Sequence, residues 1–129
     1  MGRRQWMASI WEGTDPAENL AMEEYAFDCL PRDYCYLILW QNRPSIIIGK
    51  HQNALEEINA EYVRRQRLPV IRRLSGGGAV YHDLGNVNFT FLTDADADSA
   101  DWEALLSPIL QTCRAFGIEA SLSGRNDLI

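Results

Sequence analysis

Residues 72–83 read Arg72-Arg73-Leu74-Ser75-Gly76-Gly77-Gly78-Ala79-Val80-Tyr81-His82-Asp83, two arginines and three consecutive glycines between short β-like runs. Val70-Ile71 lead in, and Ala79-Val80-Tyr81 lead out. Glycine has no Cβ, so a ligand can approach its N–H groups closely. Successive N–H groups in such turns form concave anion sites. Arginine adds a planar fork that holds phosphate or carboxylate at two points. The stretch is not a P-loop, since G-x-x-x-x-G-K-[ST] is absent. Nor is it a dinucleotide fingerprint: β-formers, not a helical period, follow Gly78. Two readings stay open: a strand–loop–strand site for a small anionic molecule, or a plain turn with solvated arginines.

Working outward, the upstream half predicts a first strand over Gln5–Trp11. A helix over residues 16–30 follows, with Asp15 as cap, Pro16 at the first helical position and Glu18 at the third. Met22, Tyr25, Ala26, Cys29 and Leu30 share one face of it and predict the buried side. Tyr34–Trp40 is a continuous apolar run, read as a strand buried on both faces. Ser45–Gly49 follows a Gln41–Pro44 turn, so the two strands are expected to form a hairpin. Asn53 and Asn59 are both cap residues; the preferred reading is a short helix over 60–66 after an irregular stretch. Downstream, Asn86–Leu92 alternates Val87, Phe89 and Phe91 with Asn88 and Thr90, the period of a half-buried strand. Thr93–Asp101 predicts a surface loop, whose four aspartates lack the Gly and terminal Glu of an EF-hand. A helix over about 101–116 comes next, with Leu106, Ile109, Leu110 and Cys113 on one face. Pro108 is expected to kink it or to mark the start of a shorter helix, and Gly117 to end it. Ile118–Leu122 predicts the last strand.

The composition sets limits. At 129 residues the chain is one domain or a large part of one. Lys plus Arg total 12 against 18 Asp plus Glu, a formal charge of −6, which argues against nonspecific nucleic-acid binding. A local basic pocket is still compatible with it. Lys50 is the only lysine. Cys29, Cys35 and Cys113 lack C-x-x-C spacing and read as buried free thiols in a reducing compartment. There is no long apolar core of a signal peptide and no run of ~20 apolar residues to span a membrane. The expectation is a cytoplasmic protein with no nucleic-acid or membrane partner.

Arg73 is the first candidate for chemistry, a cation beside the glycine turn. Arg72 is either a second binding group or a surface ion pair. Trp40 reads as core or as a ligand wall. His82 and Asp83 are adjacent in a strand, so they point to opposite faces and form no dyad. His82 is either a site residue or a core or edge histidine. Asn86 and Asn126 carry amides able to bond an adenine edge or phosphate, and Asp127 a carboxylate able to hold Mg²⁺; an Asx-type turn is the alternative at Asn126-Asp127. With only His51 and His82, a histidine-rich metal site has no support, and no Gly-x-Ser-x-Gly elbow is present.

Arg72–Asp83, continued by Leu84-Gly85-Asn86-Val87-Asn88-Phe89-Thr90-Phe91, resembles the signature of lipoate–protein ligases. Ser123-Gly124-Arg125-Asn126-Asp127 resembles a second signature of that family. The resemblance implies an α+β fold of the biotin/lipoate ligase type: a mixed, mainly antiparallel β-sheet with helices packed on it, incomplete at the C-terminus. Residues 1–129 then form the N-terminal part of the catalytic domain. It also implies a reaction in two steps, activation of lipoate by ATP to lipoyl-adenylate, then transfer to a lysine of a carrier domain. It places Arg73, Ser75, Gly76, Gly77, Gly78, Ala79, Val80, Tyr81 and His82 around the adenylate. Trp40 and Tyr81 fall beside the acyl chain, Asn86 and Asn126 near the nucleotide, and Asp127 at Mg²⁺. The implied acceptors are lipoyl domains of oxoacid dehydrogenase acyltransferase subunits and the glycine-cleavage carrier protein.

The family's lysine follows the Ser-Gly-Arg-Asn-Asp block and falls beyond Ile129, and Lys50 does not match it. The expectation is a chain that is weak or inactive alone, with a second chain completing the sheet. The alternatives are an octanoyl or lipoyl transferase of the same superfamily, a noncatalytic lipoate-binding subunit or an inactive fragment. A biotin ligase fits less well, because its usual glycine-rich signature differs.

Overall fold

The computed structural model describes residues 5–94, 102–123 and 127–129, with the side chains of Trp102 and Asp127 left aside. Residues up to Thr93 form one compact unit and those from Asp94 a second. The first unit holds two three-stranded sheets. Strand β1 (Gln5–Ile10) lies parallel to β2 (Tyr34–Trp40), and β2 is antiparallel to β6 (Asn88–Leu92). In the second sheet β3 (Ser45–Ile48) is central, parallel to β4 (Val70–Arg72) and antiparallel to β5 (Val80–His82). The expected β2–β3 hairpin is therefore wrong. The Gln41–Pro44 segment carries the chain from one sheet to the other, with Arg43 N–H bonded to the Thr14 carbonyl at 2.8 Å.

Helix α1 (Pro16–Cys29) starts as its caps predict: Asp15 accepts from the N–H groups of Ala17 and Glu18. Arg43 bonds the other oxygen of Asp15 at 2.6 Å, and that bond first, then the helix N–H groups, holds the Asp15 carboxyl below its ordinary range. The inner face of the helix differs from the expected one. Ala26 is buried and Leu20, Met22 and Leu30 pack beside Ile38, Trp40 and Leu92, but Tyr25 and Cys29 are exposed. Their places on the inner face are taken by two polar residues, fully buried Asn19 and half-buried Glu23.

Strand β2 is less enclosed than its composition suggests. Cys35, Ile38 and Trp40 are buried, whereas Tyr34 is exposed and Leu37 and Leu39 are half-buried. On β6 the face turned to α1 carries Asn88, Thr90 and Leu92, in register with Trp40, Ile38 and Tyr36. Phe89 and Phe91 lie on the opposite face, where Trp6 packs edge-on against Phe91 at 5.9 Å. That face is open: Trp6 is 50% and Ile10 76% exposed.

Between β3 and β4 both asparagines act as caps. Asn53 caps a one-turn helix α2 (Ala54–Glu57), where an irregular stretch was expected, and Asn59 caps α3 (Ala60–Gln66). In the second unit, α4 (Trp102–Ala115) runs through Pro108. The buried and half-buried residues Leu106, Ile109, Leu110 and Cys113 share one of its faces. The helix ends as Gly117 predicts, with Ile118 N–H on the Cys113 carbonyl and Gly117 N–H on that of Arg114. The expected strand over 118–122 is shorter and later: β7 (Leu122–Ser123) pairs antiparallel with β8 (Asp127–Leu128). The predicted acidic surface loop, from residue 95 to 101, lies outside the described residues, as do Gly124, Arg125 and Asn126.

Candidate functional site

Strand alternation sorts the residues around the glycine loop. Ile47, Val80 and His82 fall on one face of the second sheet, and Ile46, Tyr81 and Arg72 on the other. The first of these faces, with Trp40, Asn88 and Phe89 from the first sheet and Leu20 and Glu23 from α1, encloses a cavity of about 330 Å³. Arg73, Ser75 and Val87 complete its lining. This size lies in the range of small-molecule sites, roughly 300–1,000 Å³. Its wall mixes apolar side chains with the polar residues Arg73, Ser75, His82, Asn88 and Glu23.

Of the residues expected at the site, the cavity gathers Trp40, Arg73, Ser75, Val80 and His82. Tyr81 does not join Trp40: β5 turns it to the opposite face. There, with Ala79, it borders a depression of about 610 Å³ also lined by Pro44, Ile46, Glu57, Tyr62, Gln66 and Leu68. That depression is larger, but its charged lining residue is an acid, Glu57, and no guanidinium faces it. Asn86 is spent on a turn. Its Oδ1 accepts from Asp83 N–H at 2.8 Å and its Nδ2 donates to Asn88 Oδ1 at 3.3 Å. Asn126 lies outside the described residues, and only the backbone of Asp127 is described, in β8.

Arg72 is exposed and Arg73 half-buried, and both spend their guanidinium on backbone carbonyls, with no ion pair among the described residues. Arg72 Nη1 contacts the carbonyls of Gly49, Lys50 and Gln52 at 2.7–3.2 Å. Arg73 braces the glycine loop itself, with Nη2 at 2.8 Å from both the Gly76 and Gly78 carbonyls and Nε at 3.2 Å from Gly76. Its Nη1 reaches the Ile47 carbonyl at 3.4 Å. Loop carbonyls thus turn toward the guanidinium, and the N–H groups of Gly76, Gly77 and Gly78 have no partner among the described residues. Gly77 sits at φ +96, a conformation only glycine adopts without strain, whereas a Cβ on Gly76 or Gly78 would meet open space. A Cβ on Gly49 would lie 2.0 Å from the Gly77 carbonyl oxygen. Lys50 N–H bonds the Ser75 carbonyl at 2.9 Å, so the 49–52 turn and the glycine loop are laced together.

Two polar chains reach the cavity wall. In one, Trp40 Nε1 donates to Thr90 Oγ1 at 2.9 Å, and the Thr90 hydroxyl donates to Glu23. Burial raises the Glu23 carboxyl above its ordinary range, and the Thr90 bond partly offsets this. In the other, Asn42, fully buried, places Nδ2 3.0 Å from His82 Nδ1. Burial first, and the Arg73 charge second, hold His82 below its ordinary range. The His82 ring also meets Trp40 edge-on at 6.2 Å. As the alternation requires, Asp83 faces away and accepts from Gly85 N–H. Asn88, which lines the cavity, has its Nδ2 buried with no partner among the described residues.

Asn19, Glu23, Asn42, Gly49 and Asn88 were all missed as site residues. For Asn19 and Glu23 the spacing of four puts both on one helix face, but only their distant partners turn that face inward. Among the described residues no group of three or more His, Cys, Asp or Glu gathers to hold a metal, and no helix is long and apolar enough to cross a membrane.

Comparison with known proteins identifies the family. The lipoate-protein ligase LplJ of Bacillus subtilis (strain 168) is 53% identical over 116 residues, 89% of this chain and 35% of that protein. The crystal structure of P. falciparum LipL1 in complex with lipoate superimposes with a TM-score of 0.86 at 34% identity, over 95% of this chain and 40% of that one. A lipoate-protein ligase A bound with ATP gives a TM-score of 0.79 at 29% identity, over 95% of this chain and 51% of that one. The chain spans about a third of the length of the curated relatives it matches. Residues 15–129 match the family described as the lipoyl protein ligase A/B catalytic domain, and the chain belongs to that family.

Proposed function

We propose that this chain supplies the acyl-binding part of a lipoate–protein ligase: it holds lipoate while ATP activates it to lipoyl-adenylate, for transfer to a lysine of a lipoyl domain. In this reading residues 1–129 are the N-terminal part of the catalytic domain. The observation that carries it is the cavity, apolar along Leu20, Trp40, Ile47 and Val80 and polar at Arg73, Ser75 and His82. A lining of both kinds suits an acid with an aliphatic tail: apolar side chains take the chain out of water, and donors are at hand for the carboxylate. Related ligases have been solved with lipoate and with ATP, which supports both as substrates here.

Both steps develop negative charge, at phosphorus and then at a carbonyl oxygen, so cations and fixed N–H donors carry the catalysis. In this reading the unpartnered N–H groups of the glycine loop, which Arg73 holds through the loop carbonyls, are the donors offered to that charge. Asp127 is the residue that the family resemblance assigns to Mg²⁺, an ion that would neutralise phosphate charge. Lipoyl domains of oxoacid dehydrogenases and of the glycine-cleavage system are the expected acceptors, and the compartment is the cytoplasm.

The test is a titration of the chain with lipoate, read by tryptophan fluorescence since Trp40 forms the wall. Quenching that saturates, and that weakens at least about tenfold in Arg73→Ala, is expected. Affinity unchanged by that substitution would overturn the placement of the carboxylate end. Lipoate-dependent pyrophosphate release by the complete protein separates a ligase from an acyl transferase or a noncatalytic binding subunit.

A further inference from the structure

The buried asparagines beneath the cavity do more than fill space. Trp11 Nε1–H can only donate, and it donates to Asn19 Oδ1 at 2.8 Å. This fixes the Asn19 amide, whose Nδ2 contacts the carbonyls of Gly13 and Gln41 and Asn42 Oδ1 at 2.8–3.0 Å. Asn42 is fixed in turn. Its oxygen faces Asn19, so its Nδ2–H points at His82 Nδ1, 3.0 Å away. A ring nitrogen that receives an N–H is unprotonated, so the single proton of neutral imidazole sits on Nε2. No described residue bonds Nε2, and the ring lines the cavity.

We propose that Asn42, itself oriented by Trp11 and Asn19, is a positioning residue that locks His82 as its Nε2–H tautomer and so aims a hydrogen-bond donor at the carboxylate or acyl-phosphate oxygen of the bound acid. The ligand part of this inference rests on the function proposed above; the tautomer rests on the hydrogen bonds alone. Protonating Nδ1 would set two donors against each other. Turning Asn42 to accept would set its Nδ2 against that of Asn19. The lock therefore keeps His82 neutral, in agreement with the direction that burial and Arg73 impose. The charged groups facing the imidazole are Arg73, from the end of β4, and Glu23, from α1, which is occupied by Thr90.

The experiment uses the whole chain labelled with ¹⁵N. Long-range ¹H–¹⁵N correlation of the imidazoles reads which nitrogen holds the proton, with His82→Gln assigning the signals against His51. His82 is expected as pure Nε2–H across neutral pH. Tautomer exchange, or a proton on Nδ1, would overturn the proposal without any variant having to fold. Asn42→Asp keeps the shape but replaces the donor by an acceptor, and should move the proton to Nδ1 and raise the His82 titration. Lipoate affinity should then be flat with pH in the wild type but fall about tenfold in Asn42→Asp as pH rises through the new titration. An Asn42→Asp chain that keeps the wild-type tautomer sinks the lock. A locked tautomer in a chain that binds no lipoate at any pH supports the lock and overturns the ligand reading instead.

Discussion

At the scale of single residues, His82 and Glu23 make the stability of the chain respond to pH with opposite signs. The folded His82 is harder to protonate than in the unfolded chain, where it titrates near its ordinary 6.5. Below that pH the unfolded state binds more protons, so stability falls as pH drops from 6.5 toward the lowered folded value. Glu23 is the reverse: its folded pKa lies above the ordinary 4.5, so stability falls as pH rises from 4.5 through the folded value. Urea unfolding between about pH 4.5 and 6.5 checks both signs. His82→Gln should remove the acid-side loss, and Glu23→Gln the loss on raising pH. Arg73→Lys retains the charge but not the fork, so the Gly76 and Gly78 carbonyls lose their shared donor. Faster exchange of the Lys50 amide, which bonds the Ser75 carbonyl of this loop, is expected, and protection unchanged from the wild type would contradict the bracing role. Gly49→Ala should be worse than Ala at Gly76 or Gly78, because its Cβ collides with backbone. Lowered lipoate affinity together with a lower melting temperature is the expected outcome at Gly49, and near-neutral behaviour at Gly78.

At the scale of elements, α1 shows what sequence patterning reads well and where it stops. Its start was legible because Asp15 and Pro16 act through local geometry. Its inner face was not, because Asn19 and Glu23 face inward only when a distant partner satisfies them: carbonyls of Gly13 and Gln41 for one, the Thr90 hydroxyl for the other. The same limit explains the missed pairing of β2. Adjacency in sequence favours a hairpin, but β2 finds β1 and β6, and the chain crosses to a second sheet through the buried Asn42. Strand alternation at β5 was equally readable, yet grouping Tyr81 with Trp40 ignored it. Alternation did correctly part His82 from Asp83. The anion-loop reading is carried forward as a proposal: Arg73 faces the glycine carbonyls, and the loop N–H groups have no partner among the described residues. Asn19→Ala tests the junction of α1 with both sheets. It strands the Trp11 indole N–H and three acceptors, so a loss of about 3 kcal/mol is expected by urea unfolding. A loss under about 1 kcal/mol would mean that water replaces the amide readily.

At the scale of the whole chain, the outer face of the first sheet is the least finished surface. Trp6, Ile10 and Phe89 share it, and all six residues of β1 are exposed. Apolar strands left open in this way pair or associate. Sedimentation should show association that grows with concentration, and Trp6→Lys with Ile10→Lys should reduce it; a monomer at high concentration in the wild type would contradict this.

The lacing of Gly49 against Gly77 reaches further than local packing. Because one turn has no room to shift unless its neighbour shifts too, variants that reshape these two turns must be sought in pairs. Single replacements at Gly49 or Gly77 would give only damaged proteins, while coupled changes at both turns open a route to loops of other shapes.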